Sequence, residues 1–116
     1  MPRDAVLLSQ QSIELRAVVE AAEVVDPSLR VRSLFDRAVL QLLNEAGEPV
    51  ASIQNSVLLS NLDEVIRLLP DAPRVPVPVW WTEAVLPWDT SGDSGTRVLV
   101  ELAARAGAAL VIEDAT

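Results

Sequence analysis

The stretch Val75 to Trp88, VPVPVWWTEAVLPW, constrains the fold of this chain more than any other. It holds all three tryptophans, Trp80, Trp81 and Trp88, together with Pro76, Pro78 and Pro87. At the strand period of two, Val75, Val77, Val79, Trp81, Glu83 and Val85 share one face, and Pro76, Pro78, Trp80, Thr82, Ala84 and Leu86 share the other. Backbone N–H groups alternate in direction along a strand, so two prolines two residues apart delete donors from the same side. Such a segment belongs at a sheet edge, or is extended polyproline-like chain leading into a strand. An edge or near-edge strand is the expectation. Trp80 and Trp81 cannot share a face, so one enters the core and the other meets a loop, a helix or water.

The remaining segments supply a sheet and helices for this strand. Ala5 to Leu8 is a short apolar run with strand character, and Ser9 to Ser12 offers capping hydroxyls to a following helix. Leu15, Val18, Val19, Ala22 and Val25 recur at helical spacing with Arg16, Glu20 and Glu23 opposite, and Asp26-Pro27 stops the helix. Leu29 to Phe35 alternates as a half-buried strand. Ala38 to Leu43 and Val50 to Asn55 flank a loop containing Gly47, which predicts a hairpin.

Val57 to Leu59 is apolar and short. Ser60 or Asn61 then caps a helix of about two turns, whose buried stripe is Leu62, Val65, Ile66 and Leu69 and which Pro70 ends. Asp89 to Gly95 is a loop by composition. Thr96 to Ala106 reads as a third helix with Gly107 as its left-handed cap, and Ala108 to Ile112 as a final strand. The order βαβββαβαβ predicts one α+β domain over residues 1–116, a mixed sheet with a central hairpin and about three helices.

Composition narrows function by exclusion. With 116 residues, 50% of them hydrophobic but only 3% aromatic, the core must be aliphatic and each tryptophan is conspicuous. There is no run of about 18 apolar residues and no signal-peptide h-region at the start, so no membrane span and a cytoplasmic location are expected. The chain has no cysteine and no histidine, and all nine basic residues are arginine, which removes thiolate and imidazole chemistry. A net charge of −8 speaks against nucleic acid as a partner.

The succession of an early strand and helix, DPSLRVRS, the hairpin VLQLLNEAGEPVASI and then VPVPVWWTEA resembles an uncharacterised actinobacterial family of small proteins, a domain of unknown function. The resemblance implies a one-domain architecture. It implies no activity and no catalytic residues.

Several strings carry candidate chemistry. Gly92-Asp93-Ser94-Gly95 matches the GDSG around the nucleophile of chymotrypsin-like proteases, but that mechanism needs a histidine base and a chain roughly twice this long. Without lysine, a Ser–Lys arrangement is also closed. The same loop, with Ser94, Arg97 and a helix start, offers an anion cradle, against which Asp89 and Asp93 count; the two aspartates alone are too sparse for a calcium loop. Glu83 shares a face with Trp81, so burial there demands a partner for its carboxylate.

No catalytic residue, metal or cofactor is expected. The leading reading is a non-enzymatic interaction or accessory domain that binds a protein partner or a second copy through an apolar patch near Trp80, Trp81 and Trp88. The alternatives are a small-ligand binder or carboxylate enzyme, built from Glu83 together with Asp93, Ser94 and Arg97 of the Asp89 to Arg97 loop, and an acidic mimic that neutralises a basic surface.

Overall fold

In the computed structural model, which describes residues 3–36, 38–70, 73–87 and 92–113, the tryptophan strand is built into the middle of a sheet. The elements run β1 (Arg3–Ser9), α1 (Leu15–Val25), β2 (Arg30–Leu34), β3 (Val39–Leu43), β4 (Pro49–Gln54), β5 (Val57–Leu59), α2 (Leu62–Leu68), β6 (Val79–Leu86), α3 (Gly92–Ala106) and β7 (Ala109–Glu113). The sheet order is β2-β3-β4-β6-β1-β7, with β5 paired to β6. Trp88 and Asp89 lie outside the described residues.

The α+β architecture is as expected, but every pairing in the sheet is antiparallel rather than mixed. The reason lies in one insertion. β6, α3 and β7 form a crossover whose two strands run the same way, and β1 fits between them, antiparallel to both. β1 earns that place through continuous apolar sequence, since Ala5, Val6, Leu7 and Leu8 are all buried, as suits a strand covered on both faces.

The edge placement of the tryptophan strand is corrected. β6 pairs with β1 from Trp80 to Leu86, with β5 through Val79, Trp80 and Trp81, and with β4 through Ala84 and Val85. The prolines do not interfere, because the strand begins only at Val79, after Pro76 and Pro78. The chain before it bends at Val77 and Pro78, and Gln10 Nε2 donates to the Pro76 carbonyl at 3.0 Å.

Alternation divides the interior into two cores, one on each face of the sheet. On the first face α1 and α3 cover Ala5, Leu7, Leu40, Leu42, Ile53, Ala84 and Leu86. On the second, α2 covers Val6, Leu8, Leu59, Val79 and Trp81. A fully buried leucine such as Leu7 or Leu99 contributes about 2 kcal/mol of transfer free energy. A hydrogen-bonded hydroxyl pair ties the bend between β4 and β5 to the first face: Ser56 Oγ accepts from the Ile13 N–H at 2.9 Å and lies 2.7 Å from Thr82 Oγ1. A salt bridge from Arg105 to Glu20 at 3.6 Å links α3 to α1 at the surface, and Arg105 also pairs with Glu101 within α3 at 3.0 Å; both add little.

Local signals held unevenly. The hairpin forms with Gly47 at φ 82°, and α1 gives way to extended chain at Asp26, before Pro27. No side chain caps the start of α1; the Ser9 hydroxyl donates instead to the Gln11 carbonyl at 2.6 Å. Phe35 leaves the strand and stands 79% exposed in the β2–β3 turn at φ 52°, a left-handed conformation unusual for a bulky residue. Asn61 caps α2 by accepting from the Asp63 N–H at 2.8 Å. The expected loop through Gly92-Asp93-Ser94-Gly95 is instead the first turn of α3. Gly95 explains its fit: a Cβ there would lie 2.0 Å from the Val50 carbonyl oxygen, so glycine lets the helix lie directly on β4. At the other end Gly107, at φ 63°, closes the helix while the Ala108 N–H bonds the Ala103 carbonyl at 2.8 Å. No helix among the described residues is long and apolar enough to cross a membrane.

Candidate functional site

The tryptophan strand positions two features, a cavity on the second sheet face and, at its other end, an apolar surface on α2 and the edge strand β5. Both follow from α2 being short. With seven residues it covers only the Val79–Trp81 end of that face, leaving Glu83 and Val85 beyond its reach.

Beyond α2 opens a cavity of about 270 Å³, floored by β6 and β1 and walled by Leu68 and Leu69. Three carboxylates line it: Glu83 from β6, Asp4 from β1 and Glu113 from β7. Cross-strand register brings them together, since Asp4 pairs with both Val85 and Glu113 while Val6 pairs with Glu83. Glu83 is exposed and accepts from Trp81 Nε1 at 3.1 Å, as two side chains i and i+2 on one strand face can do. The lining holds no arginine. No cluster of acids among the described residues is arranged to hold a metal ion.

The second feature flanks the other end of the strand. β5 pairs with β6 on one side, and among the described residues no strand pairs with its other edge. Val57 is 54% exposed and Leu58 46% exposed on this strand. α2 packs beside β5 and turns Leu62 and Ile66 outward, with Ile66 50% exposed. The expected buried stripe of Leu62, Val65, Ile66 and Leu69 is therefore corrected: Val65 and Leu69 are buried, and the other two face water. A helix of seven residues on a flat sheet face has contact for only one row of side chains.

The anticipated site residues separate. Trp81 is 8% exposed and belongs to the second core, so its ring is a packing element. Trp80 is half-buried on the first face, paired across the strands with exposed Leu58. Glu83 lines the cavity, but Asp93, Ser94 and Arg97 are on α3, which packs on the opposite face, and none of them lines it. Asp93 occupies the first turn of α3, where a carboxylate suits the positive helix end.

Arg97 reaches α1 instead, donating through Nη2 to the Val25 carbonyl at 3.4 Å at the helix C-terminus. Close by, the Ser28 backbone N–H and hydroxyl, bonded to the Asp26 carboxylate, hold its pKa below the usual carboxylate range, with Arg97 contributing less.

Sequence reasoning missed Val57, Leu58 and Asp4 as surface-site residues, whereas Glu113, at the end of the final strand, is a neighbour for Glu83 that the order of elements allows. One signal was present: 62–69 holds five apolar residues, more than a two-turn helix can bury on one face. Comparison with protein-family models, curated proteins and solved structures finds no match to this chain.

Proposed function

We propose that this chain is a non-enzymatic interaction domain that docks a protein partner or a second copy through the apolar surface of β5 and α2. The observation that carries the reading is the outward placement of Val57, Leu62 and Ile66 on the second face, with Leu58 exposed on the first face of the same strand, beside the edge of β5 with which no strand among the described residues pairs. Large apolar side chains grouped on a surface stay in contact with water at a cost that docking removes, about 25 cal/mol for each Å² covered. Among the described residues no strand pairs with this edge, and the backbone donors and acceptors along it favour an extended partner segment. The prolines do not guard this edge, since β5 contains none.

The test compares wild type with Leu58→Arg and Ile66→Arg in pull-downs and in light scattering. Both substitutions are at exposed positions, so the circular dichroism spectrum and melting temperature stay near wild type. The reading expects each variant to lose the partner or the self-association that wild type shows. Folded variants that keep every partner and the same mass overturn it.

A second reading, a binder of a small basic ligand, is favoured by the cavity with its three carboxylates and its lack of arginine. Tetramethylammonium titrated into 15N-labelled protein should shift the amides of Asp4, Glu83 and Glu113, and less so in Glu83→Gln. Shifts spread evenly over the surface would remove this reading.

A further inference from the structure

The sheet has a second unguarded edge, remote in sequence from β5. β7, Ala109–Glu113, pairs with β1 on one side, and among the described residues no strand pairs with its other side. Its residues Ala109, Leu110, Val111 and Ile112 are apolar and each is only half-buried. Leu110 and Ile112 lean on the first core and Ala109 and Val111 on the second, so both faces of the strand are apolar.

Continuous apolar sequence is the pattern of an interior strand, covered on both faces and paired on both sides. Edge strands are ordinarily protected by charge, proline or a bulge. The opposite edge of this sheet follows that rule, for β2 carries exposed Arg30 and Arg32 and is held to β3 by the bond from Arg32 to Gln41. β7 has none of these devices before its last residue, Glu113.

We infer that β7 is the interface for a second copy of this chain, the two β7 strands pairing antiparallel about a two-fold axis at Val111 and fusing the two sheets into one. The strand is complementary to itself: apolar residues fill 109–112 and its one charge, Glu113, stands at its end. A two-fold perpendicular to the sheet keeps each face on its own side, so opposed residues must have the same parity. Among the registers this permits, the one centred on Val111 pairs all five residues of β7 with all five of its mate. It sets Leu110 of one copy against Ile112 of the other on the face covered by α1 and α3.

It also sets Glu113 against Ala109, so the two glutamates are offset by about 14 Å along the strands and no like charges stand opposed. Two chains of net charge −8 repel at a distance, and a contact whose centre carries no charge is where they can meet. The inference goes beyond the proposed β5–α2 docking surface, which this pairing leaves open.

The absence of cysteine makes the register testable by single-cysteine crosslinking in the intact chain. A residue on the axis meets itself, so Val111→Cys should give a disulfide-linked dimer under mild oxidation. Ala109→Cys alone and Glu113→Cys alone should give little, whereas an equimolar mixture of the two should crosslink at least several-fold more than either alone. Wild type should show a mass that rises from one chain toward two with concentration in light scattering.

The Val111→Cys crosslink should persist in the Leu58→Arg and Ile66→Arg backgrounds, which separates this inference from the docking reading. A monomer over about a hundredfold range of concentration overturns the pairing. So does a dimer that crosslinks equally at 109, 111 and 113, or one that Leu58→Arg abolishes. The mixed experiment keeps the test valid if Val111→Cys fails to fold.

Discussion

Gly95→Ala sets helix propensity against packing, and the structure says which wins. In a helix interior, exchanging glycine for alanine stabilises by up to about 1 kcal/mol, because the unfolded chain loses freedom it would otherwise regain. At Gly95 the added methyl would lie 2.0 Å from the Val50 carbonyl oxygen, 2.9 Å from its carbon and 3.0 Å from Ala51 Cβ. Two of these are backbone atoms of β4, whose neighbours Pro49 and Ala51 pair with β3, so they cannot swing aside as the end of a side chain would. The first turns of α3 must therefore withdraw by more than about 1 Å, loosening the fully buried Val98 and Leu99.

Overpacking of this kind costs about 1–3 kcal/mol, and a backbone clash this close takes the upper end, so after the propensity gain of up to about 1 kcal/mol a net loss of about 2 kcal/mol is expected. For a domain of this length that lowers the melting temperature by roughly 10 °C. Urea unfolding followed by circular dichroism measures it, with a lower midpoint at unchanged slope. A Gly95→Ala protein as stable as wild type, or more so, would show that α3 does not rest on β4 as described.

Gly107→Ala should cost less, about 1 kcal/mol, since nothing stands within 4 Å of a Cβ there and only φ 63° opposes the side chain; the same urea assay reads it. Asn61→Ala removes the cap of α2 and should lower stability by about 1 kcal/mol by urea unfolding, with faster amide exchange at Asp63. Trp81→Ala empties part of the second core and should cost about 3–5 kcal/mol by the same measurement, against a smaller loss for half-buried Trp80→Ala. Asp26 has a folded pKa below its unfolded one, so its stabilisation is fully present above the ordinary aspartate range and is lost as pH falls through the lowered value. The stability gap between wild type and Asp26→Ala should hold steady from neutral pH to the ordinary aspartate range and close below it.

The sequence by itself determined the elements and their faces. Period-two alternation placed Ala84 and Leu86 opposite Trp81 and Glu83, and the two cores preserve that division. Asp26-Pro27, Gly47 and Gly107 ended or turned the chain where expected, because proline geometry and the steric cost of positive φ act within a few residues.

What only the tertiary structure decided was neighbourhood. β6 became an interior strand because β1, more than seventy residues earlier, fits between β6 and β7, and no local pattern encodes which strands lie side by side. For the same reason Glu83 met Asp4 and Glu113 in one cavity while Asp93, Ser94 and Arg97, closer in sequence, went with α3 to the other face. The outward turn of Leu62 and Ile66 and the open edges of β5 and β7 are likewise facts of coverage. Periodicity states which residues share a face; only packing of the whole chain determines whether anything lies against it.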